Sequence, residues 1–201
     1  MSAPLVGVLA LQGDVREHTA ALQACGARVR RVRHPEDLHG LDGIVLPGGE
    51  STTIDKLSRT FEIREPLVAA ITNGLPAYGS CAGLILLADH VLDQSEGQQG
   101  FGGLDISVRR NAFGRQVESF ETDLDLTHID GGPVHAVFIR APWVEAAGEG
   151  VQVLATVTPH GTISPKAVAV QQGPLLATAF HPEVTTDLRV HRHFLRLLQR
   201  P

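Results

Sequence analysis

The chain has 201 residues, of which 43% are hydrophobic and 19% charged, and its formal net charge is −5. This composition excludes a disordered or collagen-like chain, and the acidic balance argues against a nucleic-acid binder, which carries a basic excess or stripe. No apolar run approaches the roughly 20 residues of a membrane span, and no basic leader or cleavage site precedes the first apolar stretch, so a cytoplasmic protein without a signal peptide is expected.

The length favours one domain over residues 1–201. Leu5–Leu11 predicts a first strand. Asp14, with Glu17 three residues on, has capping-box spacing at the start of a helix that Gly26 stops. Ala27–Val32 and Gly43–Pro47 predict strands. Ser51 is placed to cap a helix through Ile54, Leu57 and Phe61, and Pro66–Thr72 predicts another with Pro in its first turn. Leu75–Gly79 predicts a strand and Ala82–Ala88 a helix. Short apolar strands between helices imply a mostly parallel central sheet with helices on both faces, a three-layer α/β fold. Asp89–Gly100 is polar and predicts a loop. Beyond it lie strand-like segments at Phe101–Val108, Gln116–Phe120, Val134–Ile139, Val151–Val157, Ala167–Gln171 and Leu175–Phe180. They suggest additional antiparallel strands, and Thr186–Gln199 predicts a closing helix.

Gly79-Ser80-Cys81-Ala82-Gly83 stands between a strand and a helix, the Gly-x-nucleophile-x-Gly pattern of a nucleophile elbow. Such a turn is sharp, so glycines on either side avoid collisions, and the helix N-terminus favours a thiolate. The Ala82 N–H is placed to form half of an oxyanion hole. His181-Pro182-Glu183 follows an apolar strand and offers a base with an orienting carboxylate two residues on. Pro47-Gly48-Gly49-Glu50-Ser51 ends a strand and opens a helix. It reads either as a tight turn with a Ser cap or as backbone turned toward an anion, the other half of the oxyanion hole. It lacks the spacing of a phosphate P-loop. Cys25 has no partner group and reads as structural or partly buried. His191 and His193, two apart on a helix, read as surface residues. His18 and the remaining histidines show no ligand pattern, and no metal site is expected.

Taken together these segments resemble the class I glutamine amidotransferases, and within them the glutaminase subunits of two-component pyridoxal 5′-phosphate synthases. The matching segments are GVLALQGD at 7–14 with Arg16-Glu17-His18, LPGGEST at 46–52, GSCAGLILLA at 79–88, FGGLDISVRRNAFGRQ at 101–116, FIRAP at 138–142 and ATAFHPEVT at 177–185. The resemblance implies a flavodoxin-like sheet. It makes Cys81 the nucleophile, His181 the base and Glu183 its partner, with Gly48 and Ala82 as the oxyanion hole. Gly49, Glu50, Ser51, Arg110, Ile139 and Arg140 would hold L-glutamine. Ser80 stands where Thr is common, and Asp93–Gln99 is the least family-like stretch. The implied reaction is hydrolysis of the glutamine amide through a cysteine thioester, which needs no metal or organic cofactor. The family docks this subunit on a (βα)8-barrel synthase in a large hetero-oligomer, and docking completes the oxyanion hole. Two other readings stand beside it: a stand-alone cysteine hydrolase or peptidase, and a redox-sensing or chaperone-like relative that uses the elbow Cys, a class that lacks the loop-borne His-Pro-Glu pair.

Overall fold

The computed structural model describes residues 2–113, 119–159 and 163–198. The expected strand start at Gln116–Glu118, the end of the NAFGRQ segment, His160 and Gln199 lie outside these residues. Among the described residues the elements in chain order are β1 (Leu5–Leu9), α1 (Val15–Ala24), β2 (Arg28–Val32), β3 (Gly43–Leu46), α2 (Ser51–Thr60), α3 (Arg64–Thr72), β4 (Ala77–Ser80), α4 (Ala82–Leu87), β5 (Ala88–Val91) and β6 (Leu104–Arg109). They continue with β7 (Ser119–Leu124), β8 (Val134–Ile139), β9 (Trp143–Ala147), β10 (Gln152–Val157), β11 (Lys166–Gln172), β12 (Leu175–Thr178) and α5 (Arg189–Leu197). Pro35–Leu38 and Pro182–Val184 are 3₁₀ turns.

The main sheet runs β2-β1-β3-β4-β12-β11-β9-β6-β5, with β10 paired to β11. Pairing is parallel from β2 through β12, the 2-1-3-4 order of a doubly wound sheet, and β3, β4 and β12 are buried throughout. At β12 the sheet changes character: β11 lies antiparallel to β12, β9 to β11 and β6 to β9, while β5 returns parallel to β6. The β7–β8 ribbon forms a separate antiparallel pair. α1 packs with α5, and α2 with α3 and α4. No helix among the described residues is long and apolar enough to cross a membrane.

The α/β expectation is met, with local corrections. The first part of Asp89–Gly100 belongs to β5, which pairs with β6. The Trp143–Ala147 strand was not anticipated, because its exposed residues follow one another rather than alternate with buried ones. Asp14 makes no side-chain cap on α1, so the expected capping box is absent. Ser51 is the first residue of α2 and Glu50 takes the cap position, again without a side-chain cap.

The carboxyl ends of β1, β3, β4 and β12 lead into Gln12–Asp14, Gly48–Glu50, Cys81 and His181–Glu183. In open α/β sheets ligands bind at this rim.

Candidate active site

Cys81 sits between β4 and α4 with φ +47° and ψ −99°, a conformation that a residue with a Cβ rarely adopts. Close approach makes it possible. A Cβ on Gly79 would lie 2.4 Å from the Gly83 carbonyl carbon, and one on Gly83 would lie 2.1 Å from the Leu46 carbonyl oxygen. The elbow helix is thereby pressed onto β3, and the thiol is left 8% exposed. Its Sγ lies 3.9 Å from the Ile139 carbonyl oxygen at the end of β8.

The His181 ring lies next to this thiol, and the Cys81 sulfur favours its charged form. Its Nδ1 lies 2.8 Å from Glu183 Oε1 and 3.4 Å from Asp14 Oδ2, and its backbone N–H donates to the Val137 carbonyl at 2.9 Å. Burial opposes a charged imidazole, yet the bonds to Asp14, Cys81 and Glu183 carry His181 from the usual 6.5 up to about 12. Burial likewise opposes ionised Glu183, but His18 and His181 hold it well below the usual carboxylate range. At neutral pH the two form a buried charge pair. Asp14, His181 and Glu183 each offer one ligand atom within 4.8 Å of the others, but the Nδ1 proton already bridges to Glu183 and a metal would have to displace it.

The glycine loop packs against this pair. A Cβ on Gly48 would lie 2.4 Å from His181 Cε1, so only glycine fits there. The Gly48 carbonyl accepts from the Asp14 N–H at 3.1 Å, the Gly48 N–H donates to Ser80 Oγ at 3.0 Å, and the Glu50 N–H donates to Gln12 Oε1 at 2.7 Å. On the solvent side, Arg110 donates to Glu50 Oε1 at 3.2 Å, Ser95 Oγ at 2.8 Å and Gln98 Oε1 at 3.1 Å. Gln98 is buried and its amide donates to the Ser51 hydroxyl at 3.2 Å. Arg140 is exposed and follows Ile139 with φ +43°. The structure thus gathers the expected residues on one rim: Cys81, Ala82, His181, Glu183 and Gly48, then Gly49, Glu50, Ser51 and Arg110, with the Ile139 carbonyl beside the thiol and Arg140 next along the chain.

Residues 8–200 match the SNO glutamine amidotransferase family. The chain belongs to that family. A "Pyridoxal 5′-phosphate synthase subunit PdxT" of Nocardia farcinica is 62% identical over 198 residues, covering 98% of this chain and 87% of the relative. The protein of that name from Parafrankia sp. is also 62% identical, covering 99% and 95%. A crystal structure of a glutamine amidotransferase superposes with a TM-score of 0.88 at 48% identity, covering 97% and 99% of the two chains. A putative GMP synthase subunit from Thermoplasma acidophilum, at 18% identity and a TM-score of 0.67, shares the fold.

Several polar residues of this SNO-family site were not anticipated. His191 and His193 are not surface residues: they are 0% and 5% exposed. Two positions on one helix do diverge, but α5 is buried over an arc wide enough to take both. His191 meets His18 and Tyr78, while His193 reaches Gln171 Oε1 at 2.7 Å. His18 is wholly buried, and its place three and four residues before the buried Ala21 and Leu22 was the signal for that. Gln98 lies in the stretch least like the family, yet it joins Ser51 to Arg110. Cys25 is half-buried, as expected.

Proposed function

We propose that Cys81 is the nucleophile, His181 the base and Glu183 its orienting carboxylate in hydrolysis of the side-chain amide of L-glutamine. The chain acts as the glutaminase subunit of a pyridoxal 5′-phosphate synthase. One observation carries the assignment of roles: a single imidazole, His181, lies next to the thiol at the strand–helix elbow and has its Nδ1 2.8 Å from Glu183 Oε1.

The Cys81 sulfur attacks the amide carbon, and the oxyanion rests on the Ala82 N–H and an N–H of the Gly48–Gly49 peptide. His181 gives its proton to the leaving nitrogen, and ammonia departs. The neutral imidazole then takes a proton from water, whose oxygen attacks the thioester and releases glutamate. Gly49, Glu50, Ser51, Arg110, Ile139 and Arg140 hold the amino-acid end; a guanidinium suits its carboxylate.

The bonds of the glycine loop support a resting state. Its carbonyl is held by the Asp14 N–H and the Gly48 N–H by Ser80, so presenting the Gly49 N–H to an oxyanion requires the loop to turn. A (βα)8-barrel synthase subunit, docking over the rim in a large hetero-oligomer in the cytoplasm, supplies that turn and receives the ammonia. The 201-residue chain serves as one amidotransferase domain in it.

The test is glutamine hydrolysis with and without the synthase subunit. Turnover that rises on docking and vanishes in Cys81→Ala is expected. Equal turnover in both states defeats the docking step, and an active Cys81→Ala defeats the triad.

A further inference from the structure

Behind Glu183, away from the thiol, lies a second group of sealed polar side chains. His18 on α1 and His191 on α5 are both 0% exposed. Their rings meet through His18 Nδ1 and His191 Nε2, 3.0 Å apart. The other face of His18 turns toward the triad: its Nε2 lies 2.9 Å from Ser80 Oγ and 3.4 Å from Glu183 Oε1. Ser80 Oγ is itself 3.5 Å from Glu183 Oε1.

Counting protons fixes the direction of this chain. His191 Nδ1 is buried and has no hydrogen-bond partner among the described residues. An orphaned N–H is rarer and costlier than an orphaned lone pair, so Nδ1 is the bare nitrogen and Nε2 carries the proton. The neutral form suits the site, since burial opposes a charged imidazole and pushes His191 down to about 3. His191 Nε2–H therefore donates to His18 Nδ1, which leaves His18 with its proton on Nε2. That proton points at Ser80 Oγ and Glu183 Oε1. Ser80 accepts from His18 and from the Gly48 N–H, and its own hydroxyl proton is left for Glu183.

Glu183 needs these donors. Its Oε2 is buried without a hydrogen-bond partner among the described residues, so the carboxylate is held through Oε1 alone. The ionisable groups around it are His181 and Asp14 from the rim loops, His18 and Glu17 from α1, Tyr78 from β4 and His191 from α5. Of these, only His18 and His181 bring an N–H to it.

We propose that His18 is a positioning residue for glutamine hydrolysis: with its tautomer set by His191, its Nε2–H joins the Ser80 hydroxyl in aligning Glu183 Oε1 on the His181 ring. This rests on the reading of Cys81, His181 and Glu183 as the triad.

Two amides separate positioning from packing. The amide nitrogen of Gln reaches the place of an imidazole Nε2, whereas that of Asn reaches only Nδ1. In the complex with the synthase subunit, His18→Asn is expected to lower kcat about ten- to hundredfold with KM within about twofold. His18→Gln should restore kcat to within about threefold, because its amide nitrogen returns a donor to Glu183. Equal kcat in the two variants, or a His18→Asn loss that falls on KM, overturns the proposal. Nitrogen-15 NMR of the unsubstituted chain tests it even if a variant fails to fold: His18 must carry its proton on Nε2, and an Nδ1–H tautomer refutes it. Cys81→Ala is run alongside. If that variant still hydrolyses glutamine, the triad reading has failed. If it is inactive while the two amides behave alike, only the role of His18 has.

Discussion

Behind Cys81 the polar groups are sealed: His181, Glu183, Ser80, His18 and His191 are all buried and bonded mainly to one another. In front of it, most of the groups assigned to glutamine reach solvent, with Ser51 buried among them. The Glu50 side chain is 47% exposed and that of Arg110 14%. The difference is one of tolerance. A buried charged group that loses its partner is left uncompensated, so the rear cluster has a single arrangement. A solvent-accessible ion pair such as Glu50–Arg110, open on its Glu50 side, contributes about 1 kcal/mol or less and exchanges readily for a ligand carboxylate. Damage behind the thiol should therefore appear in kcat, and damage in front of it in KM.

The sharpest break is Cys81→Ala. We expect glutamine turnover to fall on the order of 10⁴-fold or more while circular dichroism and the thermal midpoint are kept. Next, His181→Asn should cost about 10³- to 10⁴-fold, and Glu183→Gln roughly tenfold less, because the imidazole moves a proton in both half-reactions and the carboxylate orients it. Kinetics of the two variants in the complex rank them, and the reverse order would reassign the base. In front, Arg110→Gln should raise KM about tenfold with kcat within about threefold, and Gln98→Ala should raise KM a few-fold by freeing Arg110 and Ser51. A kcat-dominated loss in either would erase the distinction drawn above.

The smallest effect is on stability against pH. His181 has a raised folded value, so its contribution is complete below 6.5 and fades as pH climbs toward about 12. Glu183 has a lowered one, so its contribution is present above 4.5 and is lost as pH falls. Urea midpoints should be highest between those two values and decline on both sides. His181→Asn should flatten the alkaline decline, and an unchanged slope would show that the pair does not govern it.

Much of this was legible before the structure. β1, β3, β4 and β12 are short apolar runs whose ends carry the site, and the elbow and His-Pro-Glu motifs are local enough to be read directly. The antiparallel half was harder: β5 is half polar and β9 buries only Trp143 and Val144, so neither shows the alternation of a one-sided strand. The His18–His191 pairing behind the triad was not legible, although helical spacing put His18 on the buried face of α1. His18 and His191 are 173 residues apart, and each alone is a histidine on a helix. Asp14 and Ser51 carried cap-like spacing but turned to tertiary partners, His181 and Gln98, which local patterns do not record.

The β8 contacts have a further consequence. The Val137 carbonyl holds the backbone of His181, and the Ile139 carbonyl faces the sulfur of Cys81. Carbonyls two residues apart along a strand point the same way, about 7 Å from each other. The main chain of β8 therefore acts as a ruler that sets the spacing between nucleophile and base. Side-chain exchanges at Val137 or Ile139 leave its graduations in place. A one-residue insertion or deletion between them turns one carbonyl to the opposite edge, and the two halves of the site lose their common gauge while the sheet beneath remains paired.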